Sequence, residues 1–181
     1  MIIAYHAIFT TYGTWLPNDP RGSYSKDVYT QELRSLGRAK YGKQKPQPQR
    51  NTLLNFWTES KDSLSRKPFF INDIARPIAA SAFASVIKRL NLYVPACAIM
   101  NDHVHILIFS SGYRIEYIVN QLKGNATKAL KLNHTPWTRG CWKIFIDDID
   151  TLKTAVKYIN ANPANAGLSP QSWDFVTPLK I

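Results

Sequence analysis

The stretch from Tyr93 to Phe109 restricts the fold more than any other part of the chain. Two apolar runs, 93–99 and 103–109, are separated only by Met100-Asn101-Asp102. Short runs rich in branched and aromatic side chains, bounded by turn-forming residues, read as strands. A three-residue connection pairs them as an antiparallel hairpin.

The flanking segments supply the rest of a sheet and its cover. Residues 3–11 are aromatic and β-branched and predict a first strand. Ala79, Phe83, Val86 and Leu90 recur at helical spacing, predicting a helix from Arg76 to Leu92 with Pro77 in its first turn. A second helix is predicted over 113–132, with Ile115, Ile118, Val119, Leu122, Ala126 and Leu130 on one face. Trp142 to Ile146 reads as another strand. Asp148 or Asp150 then caps a helix that runs to Asn162, where Pro163 is expected to end it. The order strand, helix, strand, strand, helix, strand predicts an α+β, ferredoxin-like fold. It has a four-stranded antiparallel sheet with helices on one face, plus a C-terminal helix.

One domain spanning residues 1–181 accommodates this order, with an insertion. Residues 13–23 carry the Gly, Pro, Asn and Asp of a loop, and 24–68 are the least core-like part. The latter hold Arg34, Arg38, Lys40, Lys43, Lys45 and Arg50, opposed in that run by Glu32. A solvated, mobile insertion and a basic arm on nucleic acid are compatible readings of it. The whole chain carries 23 Lys+Arg against 12 Asp+Glu, a net charge of +11. That sign draws polyanions, of which phosphate backbones are the commonest. A membrane surface is not the expected partner, because no segment joins a long apolar face to clustered cations. Two cysteines without metal-ligand spacing, an N-terminus without a leader pattern and no apolar run of spanning length predict a soluble intracellular protein.

Side chains at i and i+2 of a strand share a face, so His103 and His105 project together. Two neutral imidazoles so placed can chelate one divalent cation; a packed or hydrogen-bonded pair on a half-exposed sheet is the alternative. On the last helix Tyr158 and Asn162 are four apart and lie one above the other. If that face meets the histidines, the Asn162 oxygen offers a third ligand and a phenol lies beside it. Packing is the ordinary role for one of nine tyrosines, and spacing alone does not single out Tyr158.

The run Met100-Asn101-Asp102-His103-Val104-His105-Ile106-Leu107-Ile108 resembles the Met-Pro-Asn-His-Val-His-Leu-Leu signature of the HUH single-strand transposases, above all the REP-associated tyrosine transposases of bacteria. Trp137 to Trp142 and Tyr158 to Leu168 are similar to later motifs of that family, in the same order. Tyr12 to Gly22 is similar to an N-terminal motif of one branch. The resemblance covers residues 3–23 and about 76–168. It implies that His103 and His105 bind Mg²⁺ or Mn²⁺, that Asn162 stands where relatives place a polar third ligand, and that Tyr158 is the nucleophile. Asn101-Asp102 departs from the family's Pro-Asn and adds a carboxylate beside the histidines. The implied reaction cleaves and rejoins single-stranded, hairpin-bearing DNA through a 5′-phosphotyrosine, leaving a free 3′-hydroxyl. The implied setting is the bacterial cytoplasm, at the nucleoid. Tyr158 could serve its own chain's histidines or, in a homodimer, a partner's.

DNA contacts are expected from Arg21, Lys123, Lys128, Arg139 and Lys143, which match the net charge as a set. Trp15, Trp137 and Trp142 offer rings for stacking on unpaired bases or for the core. Two further readings stand beside the transposase: a non-catalytic binder of DNA or RNA hairpins, and a metal-dependent phosphodiesterase in which water attacks and Tyr158 is structural.

Overall fold

The computed structural model describes residues 1–179. Its elements, in chain order, are β1 (Ala4–Thr10), α1 (Gln31–Arg34), α2 (Arg50–Asp62), α3 (Ala75–Arg89), β2 (Ala96–Ile99), β3 (His103–Phe109), α4 (Ile115–Ala129), β4 (Trp142–Ile146) and α5 (Ile149–Asn165). The chain divides into two compact units: Met1–Thr10 together with the chain from Phe70 onward, and Thr11–Phe69. No helix among the described residues is long and apolar enough to cross a membrane.

The larger unit is built on one antiparallel sheet of order β2-β3-β1-β4. This is the expected ferredoxin-like α+β arrangement. Register aligns Ala98, His105, Ile8 and Trp142 across the four strands, and Ala96, Leu107, His6 and Ile144 in the next row. Alternation gives each face its own partners. Ala7, Phe9, Val104, Ile106 and Ile108 are fully buried. Phe9 meets Phe83 of α3 edge-on, the centroids being 6.0 Å apart, and lies under the Lys123 ammonium of α4. On the opposite face Ala4, Ala96, Ala98, Leu107 and Ile146 form a core cluster with Leu152 and Ile159 of α5.

Of the boundaries that differ from the sequence reading, two have a local cause. β2 begins at Ala96 rather than Tyr93, because Pro95 has no N–H to give to a ladder. The Tyr93 carbonyl still accepts from Phe109 N at 3.0 Å. Pro163 does not end α5, which runs to Asn165. The stop is a Schellman turn: Gly167, at φ +70°, donates to Ala164 O at 3.0 Å, and Leu168 N donates to Pro163 O at 2.8 Å. At the other end Asp148 is the cap, its Oδ1 accepting from Thr151 N at 2.8 Å.

The smaller unit holds α1 and α2 around a core of Leu16, Leu33 and Phe56, with Val28, Leu36 and Leu64 packed against it. The basic stretch thus carries helices and buried side chains of its own. Its six cations, Arg34 to Arg50, are all exposed. Asp19 is fully buried and takes both Nε and a terminal nitrogen of Arg21, at 2.9 and 2.7 Å.

Candidate active site

The parity of β3 puts His103 and His105 on the face that α5 covers. Their Nε2 atoms face each other 3.0 Å apart. Each ring is held at its other nitrogen. Asp102, in the turn before β3, brings Oδ1 to 2.6 Å from His103 Nδ1. His6, on the neighbouring strand β1, brings Nε2 to 2.9 Å from His105 Nδ1. His6 and His105 are each only 4% exposed. Burial opposes charging them, pushing His6 down to about 4 and His105 down to about 3. The neighbouring His103 and His6 rings add to the lowering at His105.

His6 is the member that sequence reasoning missed. It is adjacent to neither histidine in the chain, and only the non-local register of β1 against β3 brings it there. That three of this chain's four histidines fall inside predicted strands, His6 in the first of them, was the available signal.

Tyr158 enters from α5. Its ring is edge-on to His105 at 5.5 Å between centroids, and 6.1 Å from His6. The residue is 53% exposed, so the phenol is open to a ligand from solvent. Asn162 lies one turn further on and donates from Nδ2 to the Tyr158 carbonyl at 2.8 Å. This leaves its Oδ1 as the atom able to accept or ligate. The two predicted halves, the His-x-His pair and Tyr158, therefore meet within one chain.

A divalent cation fits the geometry of the pair. Two ligands about 2.1 Å from one ion at a right angle lie about 3.0 Å apart. With both Nδ1 atoms occupied by hydrogen bonds, the Nε2 atoms are the ones free to ligate. Asp102 is engaged with His103, so its carboxylate acts on the ring's orientation. Among the described residues no three His, Cys, Asp or Glu side chains form a ready-made ligand set. His6 approaches His105 from the nitrogen away from His103, and so cannot join the pair around one ion.

The expected DNA-contacting cations separate. Lys128 and Arg139 are exposed, with no ion pair to a described residue. Lys143 is half-buried and paired with Glu116. Lys123 must be corrected: it is 7% exposed, and its ammonium donates to the carbonyls of Thr138, at 2.9 Å, and Gly140. Burial brings its pKa down to about 8. Its helical position, four residues after Val119, had already put it beside the apolar stripe. Arg21 is half-buried: Asp19 holds it, and Trp15 and Trp57 carry its guanidinium at 4.0 and 5.1 Å from their centroids. Trp137 belongs to the core, against Phe9 at 5.3 Å, with Nε1 donating to Lys123 O at 3.0 Å. Trp142 is half-buried at the start of β4.

The family model described as "Transposase IS200 like" matches residues 63–162, more than half of the chain. Among solved structures, a REP-associated tyrosine transposase bound to a REP hairpin is similar at 14% identity and a TM-score of 0.53. The match covers 96% of this chain and 74% of that one. A Deinococcus radiodurans R1 protein described as a transposase aligns at 12% identity with a TM-score of 0.43, covering 88% and 89% of the two chains. No curated protein matches by sequence.

Proposed function

Because the chain belongs to the IS200-like transposase family, we propose that it cleaves and rejoins single-stranded, hairpin-bearing DNA through Tyr158, with Mg²⁺ or Mn²⁺ held by His103 and His105. The observation that carries this reading is the contact of the Tyr158 ring with His105 in the same chain. A bound cation supplies charge neutralisation at a phosphate.

The residues divide the remaining work. The Tyr158 Oη attacks phosphorus; the Oη–P bond forms, the P–O3′ bond breaks, and the proton lost by the phenol is matched by one taken up at the departing 3′-oxygen. The 5′-phosphotyrosine keeps the phosphodiester bond energy for rejoining. Asp102 and His6 fix the two imidazoles. Asn162 offers its oxygen as a third ligand, and its Nδ2 bond to the helix fixes which atom that is. Exposed Lys128 and Arg139 contact the DNA backbone.

Incubation of a hairpin oligonucleotide with single-stranded flanks and Mn²⁺ tests the reading. A covalent protein–DNA adduct is expected, absent in Tyr158→Phe and in His103→Ala. Cleavage that survives Tyr158→Phe would remove the nucleophile assignment and favour attack by water. Non-catalytic hairpin binding is the second reading, resting on the net charge of +11, which draws a phosphate backbone whether or not it is cut. Tight binding without any adduct would establish it.

A further inference from the structure

Asp102 and His6 hold equivalent places, each at the Nδ1 of one histidine of the pair. They differ in what they can do there. An ionised carboxylate only accepts, so His103 carries its hydrogen on Nδ1 and a lone pair on Nε2. A neutral imidazole donates from one nitrogen and accepts at the other, so His6 can play either part.

Two hydrogen patterns satisfy the same ring positions. In one, His6 Nε2–H donates to His105 Nδ1, and His105 Nε2–H donates to His103 Nε2. Every contact then has one donor, and the chain of donors ends on Asp102. In the other, His105 carries its hydrogen on Nδ1 and donates to His6 Nε2. The lone pairs of His103 and His105 then face each other across 3.0 Å, which is stable only around a positive charge. The proton count is the same in both patterns: His6 and His105 each move one hydrogen from Nε2 to Nδ1.

We propose that His6 is a positioning residue for the metal site: it accepts from His105 when a divalent cation lies between His103 and His105, and donates to His105 when none does. Cation loading therefore reverses the His6–His105 hydrogen bond. The inference rests on the reading of His103 and His105 as metal ligands. Its structural support is the near-complete burial of His6 and His105, which denies water the chance to replace a missing partner. His6 Nε2 holds the Nδ1 of His105 at 2.9 Å.

Histidine ¹⁵N correlation spectra of the full chain report the tautomer of each ring. On titration with Mg²⁺, both His6 and His105 are expected to pass from the Nε2–H to the Nδ1–H form. Unchanged tautomers with Mg²⁺ bound would overturn the proposal. Mn²⁺ affinity, read from the paramagnetic resonance of the free ion, gives an independent measure. His6→Phe should weaken it about tenfold or more, whereas His6→Gln, whose amide both accepts and donates, should bind as the unsubstituted chain does. Undiminished affinity in His6→Phe would remove the role of His6 and leave the metal pair standing. Absence of any Mn²⁺ binding that His103→Ala abolishes would remove both. The wild-type titration needs no variant and decides the matter should His6→Phe not fold.

Discussion

The ring of Tyr158 stands edge-on to the ring of His105, their centroids 5.5 Å apart and their planes at 89°. The contact uses the ring and leaves the hydroxyl for chemistry. Tyr158→Phe should therefore melt as the unsubstituted chain does, with a stability change within about 0.5 kcal/mol, while losing the covalent adduct. Thermal unfolding followed by circular dichroism, beside a denaturing gel, checks both halves.

Lys123 and Lys128 are neighbours on α4 with opposite expected phenotypes. Replacing Lys123 by Met removes the donor to the Thr138 and Gly140 carbonyls, and should cost about 2–3 kcal/mol. Lys128→Ala and Arg139→Ala should leave stability unchanged and weaken binding of a hairpin oligonucleotide. Each should lower the slope of log affinity against log salt by about one. Urea unfolding and binding across a salt series separate the two classes.

Acid should destabilise the metal-free protein through its buried histidines. In the unfolded chain a histidine titrates at 6.5, whereas in the fold His6 lies at about 4 and His105 at about 3. Between those values the unfolded chain binds more protons, so stability is complete above pH 6.5 and is lost as pH falls towards 3–4. Each histidine contributes a slope of up to about 1.4 kcal/mol per pH unit. Urea midpoints in EDTA from pH 8 to pH 4 measure it, and His6→Gln should flatten the curve.

Arg21 should matter to folding rather than to DNA binding. Removing it leaves the fully buried Asp19 without its cation, at a cost of about 3–5 kcal/mol. The double change Asp19→Asn with Arg21→Met should be milder than Arg21→Met alone. Protease sensitivity within residues 11–69 gives the readout.

What could be read from the sequence follows the range of the interactions involved. β3 was legible to the residue, because an unbroken run of branched and aromatic side chains after His103, bounded by turn-forming residues, is a local signal. So was the proximity of Tyr158 and Asn162, a matter of helical spacing. His6 was not, since its meeting with His105 depends on register between strands about a hundred residues apart. Lys123 was misread because charge suggested solvent, although its position on α4 placed it at the buried edge. Pro163 was taken as a stop because its ring disfavours a helical residue before it. The turn at Gly167 and Leu168 outweighed that preference. In the 24–68 stretch, basic composition hid Leu33 and Phe56, whose spacing carries no clear period.

The capping of α5 at Asp148 and at Gly167–Leu168 has a consequence for populations. Held at both ends, the helix has no frayed turn near Tyr158 through which the phenol could wander. Leaving His105 would then mean lifting the helix from the sheet and exposing Leu152 and Ile159, both buried in the cluster beneath it. At about 1.5–3 kcal/mol for each side chain, the docked arrangement outnumbers the lifted one by about a hundredfold to twenty-thousandfold. In the isolated chain, Tyr158 waits beside its own histidines.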